Sequence, residues 1–89
     1  MKHFTSSRFW RCFDNLPKEV QDTARKNYSL LKQYPHHPSL HFKLVNNGRY
    51  RSVRIGIHYR ALGFPVPDGI QWFWIGGHAE YNNLLTQFK

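Results

Sequence analysis

Two arginines, Arg54 and Arg60, flank a glycine-containing segment in which apolar and polar residues alternate. If Gly56, Ile57 and His58 form a three-residue loop, Val53, Ile55, Tyr59 and Ala61 fall on one face of a β-hairpin and Arg54 sits opposite Arg60. Two guanidinium groups so placed repel each other unless an anion lies between them, and their planar forks match phosphate oxygens. Further on, His78 follows Gly76 and Gly77 at a predicted helix start, where free backbone N–H groups favour the same kind of anion. An imidazole, with an unperturbed pKa of ~6.5, suits proton transfer near neutrality. Tyr81 lies one helical turn beyond it.

These residue types fit cleavage of a phosphodiester by an adjacent 2′-hydroxyl without metal. That reaction needs a base for the 2′ proton, cations for the pentavalent phosphorane and a proton donor for the leaving 5′ oxygen. Arg54 and Arg60 suit the second task and His78 the third. For the base, Lys43, His58 and Glu80 all stay open. Lys43, Arg49 and Arg51, with His58 in the hairpin loop, form the expected grip on an RNA backbone. Each residue also has a structural alternative. The arginines can pair with Asp68, Glu80 or a bound partner, His78 can cap the helix, Glu80 can serve the helix dipole, and Tyr81 can lie in the core.

Local patterns supply the elements that must position these groups. Thr5 or Ser6 can cap a first helix carrying Phe9, Trp10, Phe13 and Leu16. Pro17 suits the first turn of a second helix, whose stripe of Leu16, Val20, Ala24, Tyr28 and Leu31 ends before Pro35. From Leu40 to Val45 the alternation predicts a strand with Leu40, Phe42 and Leu44 inward and His41 and Lys43 outward. Asn46, Asn47 and Gly48 supply the positive φ angles of a tight turn, and Pro67, Asp68 and Gly69 make another. Ile70 to Ile75 is apolar on both faces, as an interior strand is. Tyr81, Leu84, Leu85 and Phe88 define a C-terminal helix. The expected fold is α+β, an N-terminal helical hairpin packed on a curved, mostly antiparallel four-stranded sheet, with a short C-terminal helix, all in one domain spanning residues 1–89.

No acidic residue occurs from Thr23 to Pro67, an interval holding eight Lys and Arg residues that match the net charge of +8. Such a chain attracts polyanions or an acidic protein. The single cysteine, Cys12, excludes an intramolecular disulfide framework and reads as a small core residue. His36, His37 and His41 are close enough in sequence to suggest zinc, but neighbouring side chains diverge in an extended segment, and no metal or other cofactor is expected. Trp72 and Trp74 share a strand face and are assigned to the core rather than to base stacking. The N-terminus has no apolar leader and no run approaches the ~20 apolar residues of a membrane span, so a cytoplasmic protein without membrane contact is expected.

The order xSVRxGxxYRAL from Arg51 to Leu62, then WIGxHxxY from Trp74 to Tyr81, preceded by Leu16-Pro17 and by YPHHPSLHFK from Tyr34 to Lys43, resembles the RelE/ParE superfamily of bacterial type II toxins. The resemblance runs from about Phe9 to Leu85 and implies the same fold. It also implies an acidic cognate antitoxin covering the basic face, and an mRNA endoribonuclease acting on free or ribosome-bound mRNA. Arg60 matches the phosphate-stabilising arginine of the catalytic toxins, His78 their general acid and Tyr81 the tyrosine that orients the scissile site. Ala79 stands where many catalytic members carry arginine. A non-catalytic ParE-like toxin that binds DNA gyrase, or an inactive partner-binding relative, is therefore the alternative.

Overall fold

The computed structural model describes residues 1–88. Its elements run β1 (Lys2–Thr5), α1 (Ser7–Asp14), α2 (Lys18–Gln33), a 3-10 turn (Pro38–Leu40), β2 (Lys43–Val45), β3 (Tyr50–Ile55), β4 (Tyr59–Val66), β5 (Gly69–Gly77) and α3 (His78–Gln87). The strands form one sheet in the order β1-β5-β4-β3-β2, antiparallel except where β1 runs parallel to β5. The α+β class with three α-helices agrees with expectation, but the sheet has five strands, not four. The extra strand is β1, which has no alternating apolar pattern of its own and exists because its backbone pairs with β5. At Gly69, a Cβ would collide with the Lys2 backbone, so only glycine admits this edge strand at its present distance.

Ser6 starts α1 by accepting a hydrogen bond from the Phe9 N–H at 3.2 Å, while Thr5 Oγ1 accepts from Trp10 Nε1 at 2.9 Å. Pro17 caps α2 from just outside the helix, its carbonyl accepting from Val20 and Gln21. The Gln21 side chain donates to the Phe13 carbonyl at 3.0 Å and closes the turn between the two helices. Phe13, Ala24 and Leu31 pack with Val53, Ile55, Ala61, Ile70, Trp72 and Ile75 on one side of the sheet. On the other side Leu62, Trp74 and Tyr81 form a smaller cluster flanked by Tyr50, Leu84, Leu85 and Phe88. Cys12 touches both clusters, as a small helical side chain at the sheet's margin can.

Two expectations fail for local reasons. The stretch Leu40–Val45 is not one continuous strand. Leu40 ends the 3-10 turn fully buried, His41 adopts a left-handed conformation at φ 45°, and the ladder begins only at Lys43. Leu44, on an edge strand of the sheet, lies 59% exposed rather than inward. Trp72 and Trp74, two apart in one strand, join opposite clusters. The ladder pairs Leu62 with Trp74 and Gly63 with Trp72, so Phe73 is an extra residue that reverses the side-chain alternation. Both tryptophans are buried, which leaves neither as a base-stacking platform.

Candidate nucleic-acid interface

The β3–β4 hairpin follows the expected register, with Val53 opposite Ala61, Ile55 opposite Tyr59 and Arg54 opposite Arg60. Gly56 takes φ 66° in the connecting loop, a conformation that costs glycine nothing sterically. Val53, Ile55 and Ala61 enter the core under α1 and α2, so strand alternation turns Arg54 and Arg60 to the face shared with Ser52, Leu62 and α3. Lys43 pairs with Ser52 and is exposed on that same face.

Both guanidinium groups are held by neutral acceptors. Arg60 Nη1 donates to the carbonyls of Tyr59 at 2.8 Å and Ile57 at 3.3 Å. Arg54 Nε donates to the Gly56 carbonyl at 3.1 Å, and its Nη1 lies 3.2 Å from His41 Nε2. The sequence reading had weighed His41 only as a metal ligand. Its place beside Arg54 depends on the left-handed turn after Leu40, which no motif announces. Among the described residues neither arginine meets a carboxylate, and the ion pair present joins Asp22 to Arg25 at 3.7 Å in α2. Partial burial, and then the neighbouring Arg54 charge, push the Arg60 guanidinium below its usual value, while the Tyr81 phenol pulls the other way. A guanidinium stays protonated near neutrality, so the pair presents two close, uncompensated positive charges.

α3 borders this pair. Its N-cap, Gly77, has no side-chain cap, and the His78 N–H donates to the His58 carbonyl at 2.8 Å. That bond fastens the helix start to the hairpin loop and brings the backbones of His58 and His78 together. Both histidine side chains are exposed. The His78 ring stacks near Tyr81, with centroids 6.1 Å apart and planes at 21°. Tyr81 itself is 4% exposed, its hydroxyl shares a hydrogen bond with Ser52 Oγ at 2.8 Å, and its ring lies 6.4 Å from that of Trp74. Its place is the floor of the site, with the hydroxyl engaged below the surface. Ser52, unremarked in the sequence, anchors that floor.

The remaining expected residues divide. Arg49 is exposed in the turn beyond Gly48, while Glu80 is exposed in the first turn of α3. Arg51 pairs with Gly63 and Leu44 on the face opposite to Arg54, and its Nη1 donates to the Gly48 carbonyl at 2.8 Å. It braces the β2–β3 turn and does not join the Arg54–Arg60 pair. The three clustered histidines go separate ways. His36 meets the Phe42 ring edge-on, His37 Nδ1 accepts from the Ser39 N–H, and His41 reaches Arg54.

The family model of the ParE-like toxin domain matches residues 18–83, which contain Lys43, Arg54, Arg60, His78 and Tyr81. The chain belongs to that family, within the RelE/ParE superfamily of toxins. The toxin's fold is similar to the RelB–RelE antitoxin–toxin complex from Methanococcus jannaschii, with a TM-score of 0.72 at 12% identity over 91% of this chain and 96% of that one. It is also similar to a copper-bound mutant toxin from Helicobacter pylori, with a TM-score of 0.63 at 17% identity over 90% of this chain and 97% of the other. No curated protein matches the toxin by sequence. β1 and α1 precede the matched segment, so the cationic hairpin and the start of α3 fall within the shared part and the edge strand outside it.

Proposed function

We propose that this toxin is an mRNA endoribonuclease, acting in the cytoplasm on free or ribosome-bound mRNA and held inactive by an acidic antitoxin. The observation that carries the reading is the cross-strand pair Arg54–Arg60, two guanidinium groups oriented by carbonyls and an imidazole and faced by no carboxylate among the described residues. Such a pair, next to the N-terminus of a helix, is stabilised by an anion placed between them. In the proposed reaction the RNA 2′-oxygen attacks the adjacent phosphorus, the phosphorane charge falls on Arg54 and Arg60, and the P–O5′ bond breaks. His78 as imidazolium protonates the 5′ oxygen. The products are a 2′,3′-cyclic phosphate and a 5′-hydroxyl. Lys43 and Arg49 extend the cationic track for the RNA backbone, and Tyr81 supports the site from below. Lys43, His58 and Glu80 remain the groups near the pair able to take the 2′ proton. The acid-free interval Thr23–Pro67 supports an acidic cover for this surface, and the similarity to a toxin solved with its antitoxin supports an antitoxin as that cover.

Expression of the toxin alone should arrest growth, and RNA from those cells should carry new 5′ ends inside coding regions. The substitution His78→Gln should lower cleavage by ~10² to 10⁴ with RNA affinity retained, since glutamine can hydrogen-bond a phosphate but cannot donate a proton at neutral pH. Intact transcripts accompanied by double-strand DNA breaks would instead assign the arrest to gyrase.

A further inference from the structure

His41 follows the 3-10 turn with φ 45° and ψ 45°, a left-handed conformation that histidine, like asparagine, takes more readily than most residues. That backbone sets its imidazole Nε2 3.2 Å from Arg54 Nη1. Arginine has donors only, so Nε2 must supply a lone pair, and the imidazole is the neutral tautomer with its proton on Nδ1. Asn27 on α2 adds a third restraint by donating to the Arg54 carbonyl at 3.0 Å. Three separate segments therefore converge on Arg54: α2 holds its backbone, the hairpin loop holds Nε through Gly56, and His41 holds Nη1. Both Nη2 hydrogens and the second Nη1 hydrogen are left for an anion.

We infer that His41 is a positioning residue that fixes the Arg54 guanidinium in the pose shared with Arg60. It restrains the one side chain of the pair that has no acceptor within its own hairpin beyond Gly56. The inference deepens the proposed function, on which its relevance to RNA rests, but the positioning itself is measurable without RNA.

The test compares His41→Gly, which keeps the left-handed backbone and deletes the ring, with His41→Gln, which retains an acceptor on a side chain of similar reach. In the ligand-free protein, nitrogen-15 relaxation at Arg54 Nε should show the guanidinium losing order in His41→Gly and recovering most of it in His41→Gln. Affinity for a short RNA should fall about 2- to 10-fold in His41→Gly, as expected for one hydrogen bond lost at a distance from the ligand. The double variant His41→Gly with Arg54→Ala should bind no more weakly than Arg54→Ala alone, because His41 acts only through Arg54. Unchanged Arg54 order in His41→Gly would overturn the inference whatever RNA does, and additive losses in the double variant would overturn it too by making His41 a direct RNA contact. If the order falls as expected while the parent protein binds no RNA, the positioning stands and the ribonuclease reading falls.

Discussion

Beneath α1 and α2, β3 and β4 give Val53, Ile55 and Ala61 to an apolar core, whereas beneath α3 the same two strands present Ser52, Arg54, Arg60 and Leu62. The difference comes from coverage. α1 and α2 bury Phe13, Ala24 and Leu31 against the first face, around a part-open apolar cavity of about 170 Å³ that Phe9, Trp10 and Tyr28 also line. α3 leaves β5 beside the hairpin loop and crosses toward the β2–β3 turn, where Asn46 Nδ2 donates to the Leu85 carbonyl at 3.1 Å. It buries Leu62, Trp74 and its own Tyr81 on the way, and the hairpin end of the strands is left to charged residues. One sheet thus carries its larger core on one face and the arginine pair on the other, and substitutions in the two should act differently.

Trp72→Ala sharpens the comparison most. The side chain is 4% exposed and joins the larger cluster under α1 and α2, so its loss should destabilise by about 3 to 5 kcal/mol, a large fraction of a small domain's stability, and chemical denaturation would show it. Arg60→Ala comes next and should act on the other property. Under the proposed function, loss of one transition-state cation should lower cleavage by ~10² to 10³, about 2.7 to 4 kcal/mol, while the denaturation midpoint should stay near the parent's because no carboxylate among the described residues pairs with Arg60. A matching loss of both activity and stability would erase the division between the faces.

Gly63→Ala probes the bulge that sends Trp72 and Trp74 to opposite faces. A Cβ there would meet the Ile70 side chain at 2.6 Å and the Gln71 carbonyl at 2.9 Å, so overpacking should cost about 1 to 3 kcal/mol, read as a lower midpoint. A smaller effect is expected at the edge strand, where Trp72 Nε1 donates to His3 Nδ1 at 3.1 Å. Burial first, then the N-terminal and Lys32 charges, lower the His3 pKa from 6.5. Its folded value lies below its unfolded one, so its contribution is present above pH 6.5 and fades as the pH falls through the lowered value. Amide protection factors in β1, taken against the intrinsic exchange rate at each pH, should fall on acidification from neutrality, and His3→Gln, which keeps an acceptor for Trp72, should flatten that dependence.

The arginine pair was legible in the sequence because its geometry is local. Strand alternation and a glycine able to take positive φ set the register between Arg54 and Arg60 within a single hairpin. Asn46, Asn47 and Gly48, all at positive φ, were legible for the same reason. The features that escaped depend on partners distant in the chain or on a break in alternation. β1 is a strand only through β5, some seventy residues on by the pairing of His3 with Ile70. Phe73 reverses the parity of β5, and Leu44, though on the face of Arg51 and Val53, is exposed on an edge strand of the sheet. His41 and Ser52 carry no motif, and their roles follow from what the fold sets beside them.

The central claim is that Arg54 and Arg60 stabilise charge on RNA phosphate during metal-independent cleavage. The most direct measurement incubates the purified toxin with a short single-stranded RNA in excess chelator and identifies the product termini by mass spectrometry. The account predicts 2′,3′-cyclic phosphate ends with the parent protein and their loss by at least ~10² in Arg60→Ala. Intact RNA with the parent, or equal cleavage by both proteins, would contradict it.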